Sequence, residues 1–185
     1  MPHKPITIAL SLTVMLAASL PGCVAPLPYD QRVAKTTTYQ QLDARLQDPP
    51  AGDAVRIEQL PHLVRLTLTE TLFADGSAQP SEAGSALLAQ LAPALQGLGD
   101  QRVVVKSFTD SLATDTEPPE RFPSTVPLTQ ARAAAVAEAL QRHGVPAALV
   151  YSSGLGDSHL VASDDTPHGR ARNRRVEIDI VAAPA

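Results

Sequence analysis

The chain has no tryptophan, one cysteine, two methionines, three phenylalanines and three tyrosines among its 185 residues. Each scarcity closes a door. With Cys23 alone there is no intramolecular disulfide and no cysteine pair for zinc. The five histidines (His3, His62, His143, His159 and His168) include no pair four residues apart, so a helical metal motif is excluded. A formal net charge of −4, with no basic stripe, argues against a nucleic-acid partner. No Gly-x-Ser-x-Gly elbow occurs, and Ser152 and Ser153 sit in a plain strand pattern, so no activated nucleophile is evident. The one long apolar run, Ile6 to Leu20, is short for a membrane span. Apolar content is 44%, that of a globular protein.

That apolar run sits in a targeting segment. Lys4 supplies the positive start, and Leu20-Pro21-Gly22-Cys23 has the form of a bacterial lipobox, with small Gly22 before the cysteine. Residues 1–22 are therefore expected to be a lipoprotein signal peptide. A lone thiol is a liability in an oxidising compartment unless it is used, and lipidation of Cys23 uses it. An ordinary signal peptide with an incidental cysteine is the alternative that Pro21 keeps open. Two or more acyl chains give stable anchoring.

Residues 23–61 are expected to be a lipid-anchored linker. Ala25-Pro26-Leu27-Pro28 and Asp48-Pro49-Pro50-Ala51-Gly52 are breakers. Between them, Leu42 and Leu46 stand at helical spacing, enough for one marginal helix. A short strand is allowed over Ala54 to Leu60.

The domain is expected over 62–182. Val64, Leu66 and Leu68 alternate with Arg65, Thr67 and Thr69, as in a half-buried strand. Ser81 is placed to cap a helix running to about Gly97, with a stripe of Leu87, Leu88, Leu91, Leu95 and Leu98, and with Pro93 inside it. Val103 to Phe108 reads as a second strand. Ser111 to Val126 reads as a long mobile loop. A second helix is expected from about Thr129, as its cap, to His143, stopped by Gly144. Leu149 to Ser153 forms a third strand, followed by a loop carrying His159, Asp164, Asp165 and His168. Val176, Ile178 and Ile180 alternate with Glu177 and Asp179 in the last strand. Strand–helix–strand–helix–strand–strand predicts an α/β (α+β) two-layer sandwich.

Thr109-Asp110 ends the second strand, and Arg132 falls in the first turn of the second helix. A carboxylate and a guanidinium so placed grip a small zwitterion: the carboxylate accepts from an ammonium, the guanidinium donates a fork to a carboxylate. The pair alone fits a salt bridge between loop and helix equally well.

Four blocks bear on that choice. They are Leu72-Phe73-Ala74-Asp75-Gly76-Ser77-Ala78, Thr109-Asp110, Leu128-Thr129-x-x-Arg132-Ala133-x-x-Val136, and Gly154-Leu155-Gly156-Asp157 continuing to Asn173-Arg174-Arg175-Val176-Glu177-Ile178. In this order they resemble the OmpA-like (OmpA, Pal and MotB type) peptidoglycan-binding domain, from about Leu63 to Val181. The resemblance implies a small mixed four-stranded sheet with two main helices on one face. It implies a non-catalytic domain with no cofactor. Its Asp110 and Arg132 would bind the diaminopimelate of a peptidoglycan stem peptide, with Thr109, Leu128, Thr125 and Gly76 as further ligand positions. Phe108 stands where the family has His, and Thr125 where it has Asn. Asn173, Arg174 and Arg175 match the family's Asn-Arg-Arg, either as ligand contacts or as a tie between the last strand and the loops. The expected function is an outer-membrane lipoprotein tethering envelope to wall, its domain in the periplasm. The alternative is an interaction module of an envelope signalling or secretion assembly.

Overall fold

The structure is a computed structural model and describes residues 37–47, 54–74, 77–113 and 122–182. All of these fall in one unit, Val33–Ala185. The signal peptide, Cys23, the first stretch of the linker and Gly76 lie outside the described residues.

The chain forms α1 (Thr37–Leu46), β1 (Val55–Leu60), β2 (Leu63–Leu68), α2 (Glu82–Gln96), β3 (Arg102–Phe108), α3 (Thr125–Arg142), β4 (Val150–Gly154), α4 (Pro167–Asn173) and β5 (Arg175–Val181). The sheet has five strands in the order β1-β2-β5-β3-β4. Among the described residues, only β3 and β4 run parallel, and α3 makes the crossover between them. The other neighbours are antiparallel. The mixed two-layer architecture is the expected one, with five strands in place of four. The added strand is β1, joined to β2 by the two-residue turn Pro61-His62, with Leu60 opposite Leu63.

One face of the sheet carries Val64, Leu66, Leu68, Val103, Val105, Val176, Ile178 and Ile180, all buried in one cluster with Leu88, Leu91, Leu95, Val136 and Leu140 of α2 and α3. That is the period-two pattern of strands meeting the stripes of two helices. Leu42 of α1 is in the same cluster at 0% exposure. The stretch read as a tether thus contributes a helix and a strand to the fold. Two leucines make a helix that is marginal alone; packing supplies what propensity does not.

Three further differences have plain causes. Helix α3 starts at Thr125, with Ser124 as its cap, not at Thr129. Pro127 is its third residue, where a missing N–H costs nothing because the first four are unpaired anyway. The second is a short added helix: α4 lies in the loop read as irregular, with Thr166 Oγ1 accepting from Gly169 N at 3.0 Å and Pro167 in its first turn. The third is β5, which is buried on both faces. Its outward residues Arg175, Glu177 and Asp179 are covered by pairing with each other and with Arg65 and Lys106. Charges leave water only when paired in this way.

Candidate functional site

The strand tips of β3 and β4 are locked to the start of α3. Past Gly154 the parallel pairing continues, with Leu155 N donating to Ser107 O at 3.0 Å and Thr109 N to Gly156 O at 3.0 Å. A Cβ on Gly154 would lie 2.1 Å from Gln130 N, so only glycine lets the helix approach the strand this closely. Gly154 N donates to Gln130 Oε1 at 2.8 Å. Gly156 N donates to Thr129 Oγ1 at 2.9 Å, and that hydroxyl donates in turn to Thr125 O at 2.9 Å. Thr125 Oγ1 donates to Asp157 Oδ1 at 3.0 Å. Thr129 is therefore a bolt between helix and loop, one turn inside α3.

This frame sets the two charged residues. Asp110 is 1% exposed at the end of β3. Its Oδ1 accepts from Leu112 N at 3.0 Å, a local turn that fixes the carboxylate. Its Oδ2 accepts from Arg174 Nη1, also at 3.0 Å. Arg132 is buried in the second turn of α3. Its Nε donates to Ser77 O at 3.0 Å, and its guanidinium lies 5.0 Å from the centroid of the Phe73 ring. The connection between β2 and α2 thus orients Arg132, while the last helix and β5 supply Asp110's cation. A carboxylate oxygen accepts two bonds, so the Asp110 carboxylate retains acceptor capacity.

A second layer holds the loop after β3. Ser111 N donates to Asp164 Oδ2 at 2.9 Å. That backbone N–H, with smaller help from Asn173 and Arg170, holds the Asp164 carboxyl below the ordinary range. Asn173, fully buried, accepts from Val161 N at 2.8 Å and Ala162 N at 3.0 Å, and donates to Ala162 O and Asp164 Oδ1. Its amide is spent on the loop. Arg175 lies 4.0 Å from the Phe108 ring centroid and donates to Glu177 Oε1 at 2.8 Å. Phe108, where the resemblance has His, packs under Arg175 and edge-on to His159 at 6.0 Å.

Of the residues singled out in the sequence, Thr109 and Asp110 follow β3, Thr125 opens α3 against Asp157, and Arg132 lies further along α3 against Ser77 and Phe73. The Thr109 side-chain oxygen is buried without a hydrogen-bond partner. Leu128 is fully buried. Gly76 is outside the described residues. Sequence reasoning missed Asp110's partner Arg174, Asp164 beneath the loop, and the Ser77 and Phe73 contacts to Arg132. Among the described residues, no group of three or more His, Cys, Asp or Glu is placed to hold a metal ion.

The fold defines a two-layer α/β domain in which Asp110 and Arg132, buried on different elements, carry opposite charges. Residues 72–174, more than half of the chain, match the OmpA family, and the protein belongs to it. It is 32% identical over 139 residues to the probable lipoprotein YiaD of Escherichia coli, covering 75% of this chain and 60% of that protein. It is 34% identical over 106 residues to the peptidoglycan-binding protein ArfA of Mycobacterium tuberculosis, covering 57% of this chain and 30% of that protein. The chain thus spans less than two thirds of either relative's length. Among solved structures, the cell wall anchor of the T6SS from Pseudomonas aeruginosa superposes with a TM-score of 0.67 at 32% identity, covering 77% of this chain and 97% of that one.

Proposed function

We propose that this protein is a non-catalytic outer-membrane lipoprotein whose periplasmic domain binds peptidoglycan through the diaminopimelate of its stem peptides, tethering envelope to wall. The observation that carries the reading is the pair Asp110 and Arg132. Both are buried, they come from different elements, and each is oriented by its own neighbours rather than left to a mobile side chain. Opposite charges held in advance bind a zwitterion with little ordering cost. The relatives named for peptidoglycan and cell-wall binding support the ligand. Cys23 is the proposed anchor, and among the described residues no helix is long and apolar enough to cross a membrane. Sedimentation of the protein with purified sacculi tests the reading. Wild type should pellet and Asp110→Ala should stay largely in solution; equal pelleting of the two defeats it.

One observation favours a second reading. Asp110 already has a cation, Arg174, within 3.0 Å. If that ion pair is permanent, the domain is an interaction module of an envelope assembly without wall binding. Absence of the wild type from the sacculus pellet is the result this reading expects.

A further inference from the structure

The Asp110 carboxylate is proposed to receive an ammonium, yet its side chain is only 2% exposed. A ligand cannot touch a covered carboxylate unless a covering group moves. Asp110 itself is fixed by Leu112 N. The group on its other oxygen, the Arg174 guanidinium, belongs to a side chain that is 32% exposed. A long, solvent-reaching side chain exchanges partners more readily than a strand end moves. Asn173, the residue before it, is pinned by four hydrogen bonds. Arg175, the residue after it, is buried between Phe108 and Glu177. The backbone that carries Arg174 is therefore rigid, and the motion is confined to its side chain.

We propose that Arg174 is a specificity-determining residue of this site: it occupies Asp110 in the free protein and gives way only to a ligand that brings its own positive charge. The inference rests on the reading of Asp110 and Arg132 as ligand residues. The exchange replaces one cation by another on the same carboxylate, so no buried charge is left unpaired at either end. A neutral hydroxyl or amide offers no such exchange, because displacing the guanidinium would strand the Asp110 charge. Sugar hydroxyls and uncharged peptide groups are thus rejected without any steric barrier, by the cost of what they would leave behind.

The test is calorimetric titration of the full chain with meso-diaminopimelate as probe. Arg174→Gln removes the competitor and should tighten binding about threefold to fivefold, the worth of a partly exposed ion pair. Arg174→Lys keeps a competing cation and should stay within about twofold of wild type. Binding by Arg174→Gln no tighter than wild type overturns the Arg174 assignment while leaving Asp110 and Arg132 in place. If neither protein binds, the ligand reading itself falls, and this inference with it. A wild-type measurement guards against a misfolded variant. The Arg174 side-chain N–H resonance should shift on adding diaminopimelate and stay put on adding pimelate, the same diacid without amines. A shift with both diacids overturns the charge requirement.

Discussion

Arg65 grips Asp179 across the β2–β5 pair with two parallel hydrogen bonds, Nε to Oδ1 at 2.6 Å and Nη2 to Oδ2 at 2.8 Å. Lys106 adds a third from β3 at 2.8 Å. The two strands place Arg65 and Asp179 directly opposite, so the register itself makes the contact. Burial alone would raise the Asp179 carboxyl; the bonds from Arg65 and Lys106 outweigh it and hold it below its ordinary value of 3.8. The hydrogen bond to Asp179 in turn holds the Arg65 guanidinium above its ordinary value.

A stability prediction follows from the sign of that shift. With the folded carboxyl depressed, the unfolded chain takes up a proton first as pH falls. The contribution is therefore complete above about pH 4 and is lost as pH drops through the folded value. Urea denaturation between about pH 3 and pH 7 should show an acid limb that Asp179→Asn flattens. At neutral pH the variant should lose on the order of 2 kcal/mol, less than a fully buried pair, because Arg65 and Lys106 keep contact with water. An unchanged acid limb in Asp179→Asn would remove this network from the stability of the sheet.

Leu42 separates tether from fold. Truncating a fully buried leucine costs about 2–5 kcal/mol through lost burial and the cavity left behind. Leu42→Ala should lower the denaturant midpoint accordingly, and deletion of residues 37–46 should expose apolar surface of the sheet and α2. A midpoint equal to wild type would return α1 to the linker.

How legible this was from sequence depends on where the deciding contacts lie. The β2 alternation and the α2 stripe are local patterns, and each reappears in the structure; the β5 alternation does too, except that pairing buries its charged face as well. Leu42 gives no pattern beyond one leucine pair, because α1 gains its order from residues distant in the chain. The start of α3 was hidden by Pro127, which reads as a breaker unless it is counted into a first turn. Thr166-Pro167 did carry a cap-and-proline signal for α4, short as that helix is. The partner of Asp110 is 64 residues away in sequence, and no spacing rule reaches that far. Asn173 and Arg174 are neighbours in one motif, yet the first is consumed by a loop and the second bonds Asp110. Only the strand path tells them apart.

The proposed anchor has a direct check. Cys23→Ser removes the thiol that would carry the acyl chain, and stable anchoring needs two or more chains. The variant should leave the membrane fraction or remain unprocessed. Fractionation identical to wild type would assign the N-terminal segment to ordinary secretion, and the domain would then need another means of staying at the membrane.

Arg132 gives the sharpest test of the site. Its charge-assisted bonds to a ligand carboxylate are worth about 1.5–3 kcal/mol, so Arg132→Ala should weaken sacculus binding about tenfold to a hundredfold. That variant alone is ambiguous. Arg132 is buried, stacks near Phe73 and bonds Ser77 O, so its truncation also removes packing and leaves an acceptor unpaired. Arg132→Lys separates the two effects. Lysine keeps the aliphatic stem and the charge, and its ammonium can still serve Ser77 O, so the melting temperature should move by only a few degrees, about 1 kcal/mol. It cannot offer two parallel donors to a carboxylate while holding Ser77, so binding should still fall about tenfold. A purely structural Arg132 predicts the opposite pattern, with binding retained wherever the fold is retained. Sacculus binding and melting temperature measured side by side on Arg132→Lys decide the matter, and wild-type binding in that variant removes Arg132 from the site.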